Sequence, residues 1–309
     1  MTQRLRRVFG PVASRRLGRS LGIDLVPFKT CTYDCIYCQL GRTRSRTVEL
    51  NEYVPTDRVL ADMEVALASG AKADWITLSG SGEPTLHACI GDVIAAAKRL
   101  TDVPVAVLTN GSLLWDDRVR QGLARADLVI PSLDAADDSL FGRVNRPHES
   151  LSLDLVLEGL IAFRRGFRGS IWLEVFLLAG ISDTDEHVDK LAEMARRLAP
   201  ERIQLNTVAR PPAEAVARPV PREALERLAE RFVLRAEVIA ARPRADIPEH
   251  ARSGDEALVD LLARRPCSLE DVCFALGLVA PDALKQLDRL VRDGGVTATP
   301  HGGQLFYRL

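Results

Sequence analysis

The sequence predicts an α/β fold built on a parallel sheet. Two observations carry the prediction. Short apolar runs alternate with segments of helical period about six times between residues 22 and 208. Polar and glycine-containing stretches follow the carboxyl ends of those runs. An open doubly wound sheet and a barrel or partial barrel both satisfy the alternation, and both place an active site at the carboxyl ends of the strands.

In chain order, residues 1–21 are basic and broken by Gly10, Pro11 and Gly18, which predicts an irregular arm. Residues 22–28 alternate and read as the first strand. A helix starts at Pro55-Thr56-Asp57. Val59, Leu60, Met63, Ala66 and Leu67 recur along it at helical spacing, and Gly70 stops it. Strands follow at 75–78, 103–109, 128–133, 170–178 and 202–208. The segments between them predict helices to about Leu100 and Arg125, over 151–165 and over 184–198, with an irregular stretch at 137–150. A proline-rich segment, a helix at 222–231 and a short strand at 236–240 come next. The charged, proline-containing stretch around 243–255 reads as a linker. The predicted units are therefore an arm (1–21), an α/β domain with its extension (22–240), a linker (241–254) and a small C-terminal unit (255–309).

The chain has 309 residues with 47% hydrophobic and 5% aromatic content, which makes a globular protein with an aliphatic core. Its net charge of -1 gives no global argument for nucleic acid, but residues 1–50 carry ten basic groups against three acids. A phosphate-binding face and an ordinary solvated arginine-rich surface both fit that excess. The six cysteines are not spaced as a secreted disulfide framework. No apolar run follows the basic start, and none approaches about 18 residues, so neither signal peptide nor membrane span is expected. These features predict a cytoplasmic protein.

Cys31, Cys35 and Cys38 fall within eight residues just after the first predicted strand. Three thiolates on one loop can converge on one inorganic centre and leave one coordination position open. A zinc knuckle is the plainer alternative. Its fourth ligand would have to come from Cys89, Cys267, Cys273 or the scattered histidines, none of which shows matching pair spacing. Downstream, Glu83 closes the glycine-rich Ser79-Gly80-Ser81-Gly82-Glu83-Pro84 after the second strand. Asn110 follows the third strand, and Ser132 and Asp134 follow the fourth. Polar groups at one end of buried parallel strands call for an explanation. Turn chemistry and helix capping supply one, less readily for Glu83, a poor turn residue.

The CxxxCxxC spacing with Tyr37 before its last cysteine resembles the signature of the radical S-adenosylmethionine (SAM) superfamily. The resemblance covers about residues 8 to 212 and implies a partial (β/α)6 TIM-like barrel. It implies that Cys31, Cys35 and Cys38 ligate a [4Fe-4S] cluster whose open iron chelates SAM. An electron from the cluster then cleaves SAM to a 5′-deoxyadenosyl radical that abstracts hydrogen. Glu83, with Gly80 and Gly82, matches the segment that binds the SAM amino group, and Asn110 a polar residue near SAM. Ser132 and Asp134 match the ribose contact, Gly180 and Ile181 the segment near adenine, and Tyr37 would also lie against adenine. An external one-electron donor such as flavodoxin or ferredoxin is implied.

The opening Pro11-Val12-Ala13-Ser14-Arg15-Arg16-Leu17-Gly18 and the SGSGEPTL segment are similar to those of a group related to the tRNA wyosine synthases. No cysteine precedes Cys31, which implies a single cluster. Residues 255–309 predict three helices and two strands, resembling a winged helix-turn-helix. Its third helix balances Lys285, Arg289 and Arg292 against Asp282, Asp288 and Asp293, unlike a plain DNA reader. Three functions compete: a radical SAM enzyme acting on an RNA or tRNA nucleobase, one modifying or activating a protein or peptide, and a redox-sensing DNA-binding regulator. In the first two, the basic N-terminal region and the C-terminal unit would contact the substrate.

Overall fold

The computed structural model describes residues 7–70, 72–234, 236–239 and 255–309. The chain opens with a hairpin of β1 (Val8–Ser14) and β2 (Gly18–Ile23), where an irregular arm was expected. Its turn is local chemistry. The Ser14 hydroxyl accepts the N–H groups of Arg16 and Leu17 at 3.3 and 3.2 Å, and Gly18 takes φ +63°. The arginines that suggested an exposed arm alternate with Leu17, Leu21 and Ile23, which are buried. The first parallel strand thus ends at Ile23, five residues before the expected Phe28, and residues 24–29 lead as loop into the cysteines.

The cysteine loop carries two short paired strands, β3 (Thr30–Cys31) and β4 (Ser45–Arg46). Strand–helix repeats follow: α1 (Thr56–Ala68), β5 (Trp75–Leu78), α2 (Ile90–Leu100), β6 (Val105–Thr109), α3 (Asp117–Leu123) and β7 (Leu128–Pro131). After β7 a short helix α4 (Asp138–Leu140) runs into a π-helical turn (Phe141–Asn145), inside the stretch expected to be irregular. Then come α5 (Leu153–Gly166), β8 (Ser170–Phe176), α6 (Asp185–Leu198), β9 (Arg202–Asn206), α7 (Arg222–Ala229) and β10 (Ala236–Val238).

The sheet order is β1-β2-β5-β6-β7-β8-β9-β10. All pairings from β2 to β10 are parallel, and β1 is an antiparallel edge. This is the parallel α/β architecture expected, with the unexpected β1 at one edge and the expected short strand β10 at the other. Local signals and burial agree along it. In α6 the Thr184 side chain caps the His187 N–H, Asp185 and Glu186 occupy the first turn, and Arg196 and Arg197 the last. Its Val188, Leu191, Ala195 and Leu198 are buried at helical spacing. One core joins the sheet's Leu21, Ile76, Val107, Val129, Leu173 and Leu205 to the helices over it.

The C-terminal unit comprises α8 (Asp255–Arg264), β11 (Cys267–Ser268), α9 (Leu269–Leu276), α10 (Ala280–Arg292), β12 (Thr297–His301) and β13 (Gln304–Arg308). Its antiparallel sheet has the order β11-β13-β12. Ser268 and Asp271 form a capping box on α9, and Gly277 ends that helix in the left-handed conformation. The unit has its own core, including Leu258, Leu262, Val272 and Leu287, and Val12 of β1 packs against it. The expected linker over 241–254 lies outside the described residues. Among the described residues no helix is long and apolar enough to cross a membrane.

Candidate active site

The cysteine loop and the Ser79–Pro84 loop hold each other in place. The Lys29 N–H donates to the Ser81 carbonyl at 2.6 Å, and the Glu83 N–H donates to the Thr30 carbonyl at 3.1 Å. A Cβ on Gly82 would stand 1.8 Å from the Thr30 oxygen, so this glycine is set by contact between the two loops. Gly80 takes φ +136°, and the loop below it is tied to Asp24, which accepts from Ser81. Both glycines therefore serve the chain's own packing.

Glu83 is buried, 2% exposed. Its Oε1 accepts from the Thr85 N–H, the Thr85 hydroxyl and the Thr109 hydroxyl at 3.0, 2.6 and 2.6 Å. Its Oε2 accepts only the Asn110 N–H, at 2.7 Å. Burial raises its pKa, and these hydrogen bonds oppose the rise. The second oxygen keeps acceptor capacity for a further donor.

Each cysteine sulfur faces one N–H donor, and the three donors come from three different places in the chain. The Lys29 ammonium lies 3.2 Å from the Cys38 sulfur, the Asn110 amide 3.6 Å from Cys31, and the Asn145 amide 3.7 Å from Cys35. Asn110 also donates to the Thr32 hydroxyl at 2.7 Å. Lys29 is a buried, non-glycine residue at φ +62°, held there by the loop contact described above. Burial pushes the Cys31 thiol up to about 12, with Glu83 adding to the rise, and holds Cys35 well above the ordinary thiol value with help from its two neighbouring sulfurs. Thiolates so crowded need a cationic centre, and a metal deprotonates coordinating thiols outright. The donor set therefore fits an iron–sulfur cluster, whose ligand sulfurs accept hydrogen bonds. Among the described residues, no three His, Cys, Asp or Glu side chains are grouped to hold a single metal ion.

Beside the cysteines, Asp134 is buried and accepts from the Tyr37 hydroxyl, from the Asn145 amide at 2.9 Å and from the Phe176 N–H at 3.0 Å. Burial lifts its pKa to about 6 against those three donors. The Tyr37 ring stacks on Phe176 with centroids 4.0 Å apart, and Ile181 joins the same apolar cluster. Gly180, at φ +70°, shapes the turn before Ile181. Ser132 stands at the end of β7, bridged to Glu174 of β8. The fold thus places all the predicted residues at the carboxyl-terminal edge of the sheet. Sequence reasoning missed Asn145, which a π-turn delivers from a segment without periodicity, and gave no role to Lys29 or Thr32. π-Turns concentrate at functional sites, but no residue pattern announces this one.

Comparison with known proteins follows the same lines. The family model "Radical SAM superfamily" matches residues 25–195. The chain is 36% identical over 307 residues, 98% of its length, to a protein of Brachyspira hyodysenteriae named GTPase Obg, and spans 45% of that protein. It is 32% identical over 303 residues to a UPF0026 protein of Helicobacter pylori, covering 97% of this chain and 96% of that one. Among solved structures, Streptococcus suis SuiB bound to precursor peptide SuiA is similar, with a TM-score of 0.54 at 14% identity over 70% of this chain and 48% of that one. At that identity the likeness concerns the fold. The full-length relative is a UPF0026 protein and not a tRNA wyosine synthase, which corrects the subgroup expected from the opening sequence.

Proposed function

The chain belongs to the radical SAM superfamily, whose members are enzymes using a [4Fe-4S] cluster and SAM, and from that premise we propose its reaction and the roles of its residues. Cys31, Cys35 and Cys38 would hold the cluster, which with SAM and one electron from an external donor would supply radical hydrogen abstraction from a substrate. The observation that carries this reading is the pairing of every cysteine sulfur with its own N–H donor, Lys29, Asn110 or Asn145.

The chain's residues bind and orient. The spare acceptor capacity of Glu83 Oε2 receives the ammonium group of SAM. Asp134 and Ser132 receive the ribose hydroxyls, and Tyr37 with Ile181 and the Gly180 turn forms the apolar wall for adenine. Gly80 and Gly82 keep the Glu83 loop against the cysteine loop. A small one-electron donor protein of the flavodoxin or ferredoxin kind serves the cluster, in a reducing cytoplasm.

The substrate enters the interior of a partial barrel. An RNA nucleobase as substrate rested on the subgroup resemblance and on the arginine-rich first 50 residues, and three of those arginines are committed to carboxylates. Arg16 is paired with Glu174, Arg19 with Asp74, and Arg42 with Asp34 and Glu214. We take 255–309 as a winged-helix-like unit that covers the substrate. Arg308 donates to the Leu40 carbonyl of the cysteine loop at 3.2 Å, and Asp271 pairs with Arg210 at 3.2 Å. The DNA-reading alternative is weakened further because Arg289 of α10 pairs with Asp255.

The test is anaerobic reconstitution with iron, sulfide, reductant and SAM. We expect 5′-deoxyadenosine from the native protein and none from a Cys31→Ala variant. If no 5′-deoxyadenosine forms and Glu83→Ala binds SAM as well as the native protein, the proposed reaction is wrong.

A further inference from the structure

Several of the arginines that looked like a surface patch in the sequence converge inside the molecule. Arg16, in the turn of the N-terminal hairpin, grips Glu174 of β8 with both terminal nitrogens at 3.0 and 2.9 Å. Asn206 donates to the same carboxylate at 2.7 Å, so that charge is committed. Arg15, its neighbour in the turn, has no carboxylate within ion-pair distance among the described residues. Its acceptors are the Asn206 side-chain oxygen and the Ile239 carbonyl, both at the long distance of 3.5 Å.

Arg210 follows β9 and is 8% exposed. It reaches Asp271 of α9 and the side chain of Gln39, each at 3.2 Å, while its buried Nε has no acceptor. Arg265 lies between α8 and β11. It has no carboxylate partner among the described residues, and one of its terminal nitrogens is buried without an acceptor. The groups are near neighbours. Burial first, then Arg210, Arg16 and Arg265, push the Arg15 guanidinium down to about 10, and burial with Arg265 does the same to Arg210.

Among the described residues, four guanidiniums therefore face two carboxylates in a poorly solvated place. Guanidinium does not relieve such an excess by losing its proton at ordinary pH. Poorly solvated charge is costly unless it is paired, so the arrangement calls for a counter-anion. A cavity adjoins the group, although none of these four arginines lines it. It has a volume of ≈ 220 Å³ and lies between the cysteine loop and the C-terminal sheet. Gln39, Pro211 and Pro266 line it, which are respectively the partner of Arg210 and the chain neighbours of Arg210 and Arg265. Arg308 and Thr299 line it too, and no acidic side chain does.

We propose that Arg15, Arg210 and Arg265 form an oxyanion site that binds a carboxylate or phosphate group of the substrate, beside the cavity between the cysteine loop and the C-terminal sheet. The proposal rests on the reading that this chain acts on a substrate held inside the barrel. The guanidinium fork suits both anions, since each offers paired oxygens to parallel N–H groups. Three segments far apart in sequence supply the site, so the C-terminal unit has a part in choosing the substrate as well as covering it.

The experiment is calorimetric titration of the reconstituted holoenzyme with inorganic phosphate and, separately, with acetate, at low salt and without SAM or reductant. Saturable binding of one of them is expected and identifies the group. Arg15→Gln and Arg265→Gln should each weaken it about tenfold or more, with the cluster's absorbance unchanged. Without anion, both variants should melt no lower than the native protein, because each removes a repelling charge. Absence of binding by both anions, binding unaltered in both variants, or a lower melting point for the anion-free variants would overturn the proposal. SAM cleavage without substrate, measured in the same variants, separates the two readings: it should persist here whatever the anion result, and its absence from the native protein counts against the reaction itself.

Discussion

The cysteine site and the arginine cluster are both buried and both rich in charge, but they treat their polar groups in opposite ways. At the first, Glu83 receives four donors, Asp134 three, and each sulfur faces a side-chain N–H, with only the Asn145 side-chain oxygen left without a donor among the site's described groups. At the second, Arg15 and Arg265 find no carboxylate among the described residues, and nitrogens of Arg210 and Arg265 lack an acceptor. A satisfied network is preorganised and holds its geometry before any ligand arrives. An unsatisfied one stores unfavourable energy that a ligand of the right charge releases. The contrast is the reason for proposing cofactors at the first region and a substrate at the second.

The largest expected effect tests whether the regions are independent. Cys31→Ala, Cys35→Ala or Cys38→Ala should abolish iron loading, measured by metal analysis and visible absorbance. Phosphate or acetate titration of the same variants should be unchanged. Loss of anion binding along with iron would show the two regions to be one.

Glu83→Ala comes next, since it strands the donors of Thr85, Thr109 and Asn110 in the interior. Chemical denaturation should show a loss of about 2–4 kcal/mol. Arg265→Gln, in the unsatisfied region, should show none. Equal losses would erase the distinction between the two regions.

Asp134 sharpens the comparison because burial outweighs its three donors. Its folded pKa, about 6, lies above the ordinary value of 3.8. The folded state therefore holds the proton more tightly than the unfolded state does. Its contribution is most favourable below about pH 4 and is lost as pH rises toward 6, on the order of 3 kcal/mol in all. Asp134→Asn should flatten that part of the stability profile of the metal-free chain. An unchanged slope would mean that the carboxylate is better solvated than its burial indicates.

The smallest effect concerns Lys29, whose ammonium faces Cys38. Positive charge favours the reduced form of a cluster, so Lys29→Met should lower its reduction potential, read by a redox titration followed by electron paramagnetic resonance. A shift of tens of millivolts is the scale expected, where about 59 mV is tenfold for one electron. A potential that does not move would place the ammonium too far from the cluster to matter.

The sequence by itself determined the sheet and its order of repeats. Buried parallel strands such as Leu128–Pro131 are apolar throughout, and helices such as Asp185–Leu198 carry caps, end charges and a buried stripe in one continuous segment. These are short-range properties, legible wherever the period is regular. The cysteines, Glu83, Asn110 and Asp134 were legible for a related reason: each follows a strand, and the carboxyl ends of parallel strands must meet at one edge. The hairpin was not legible, because arginine and apolar residues mix in it, and Arg15 and Arg16 turn into the molecule while Arg19 stays exposed. Only tertiary structure decided the fate of those arginines. Arg15 and Arg16 meet Glu174, Arg210 and Arg265 across more than 150 residues of chain. Whether a guanidinium is solvated, paired or left to bind an anion depends on neighbours that no local pattern encodes.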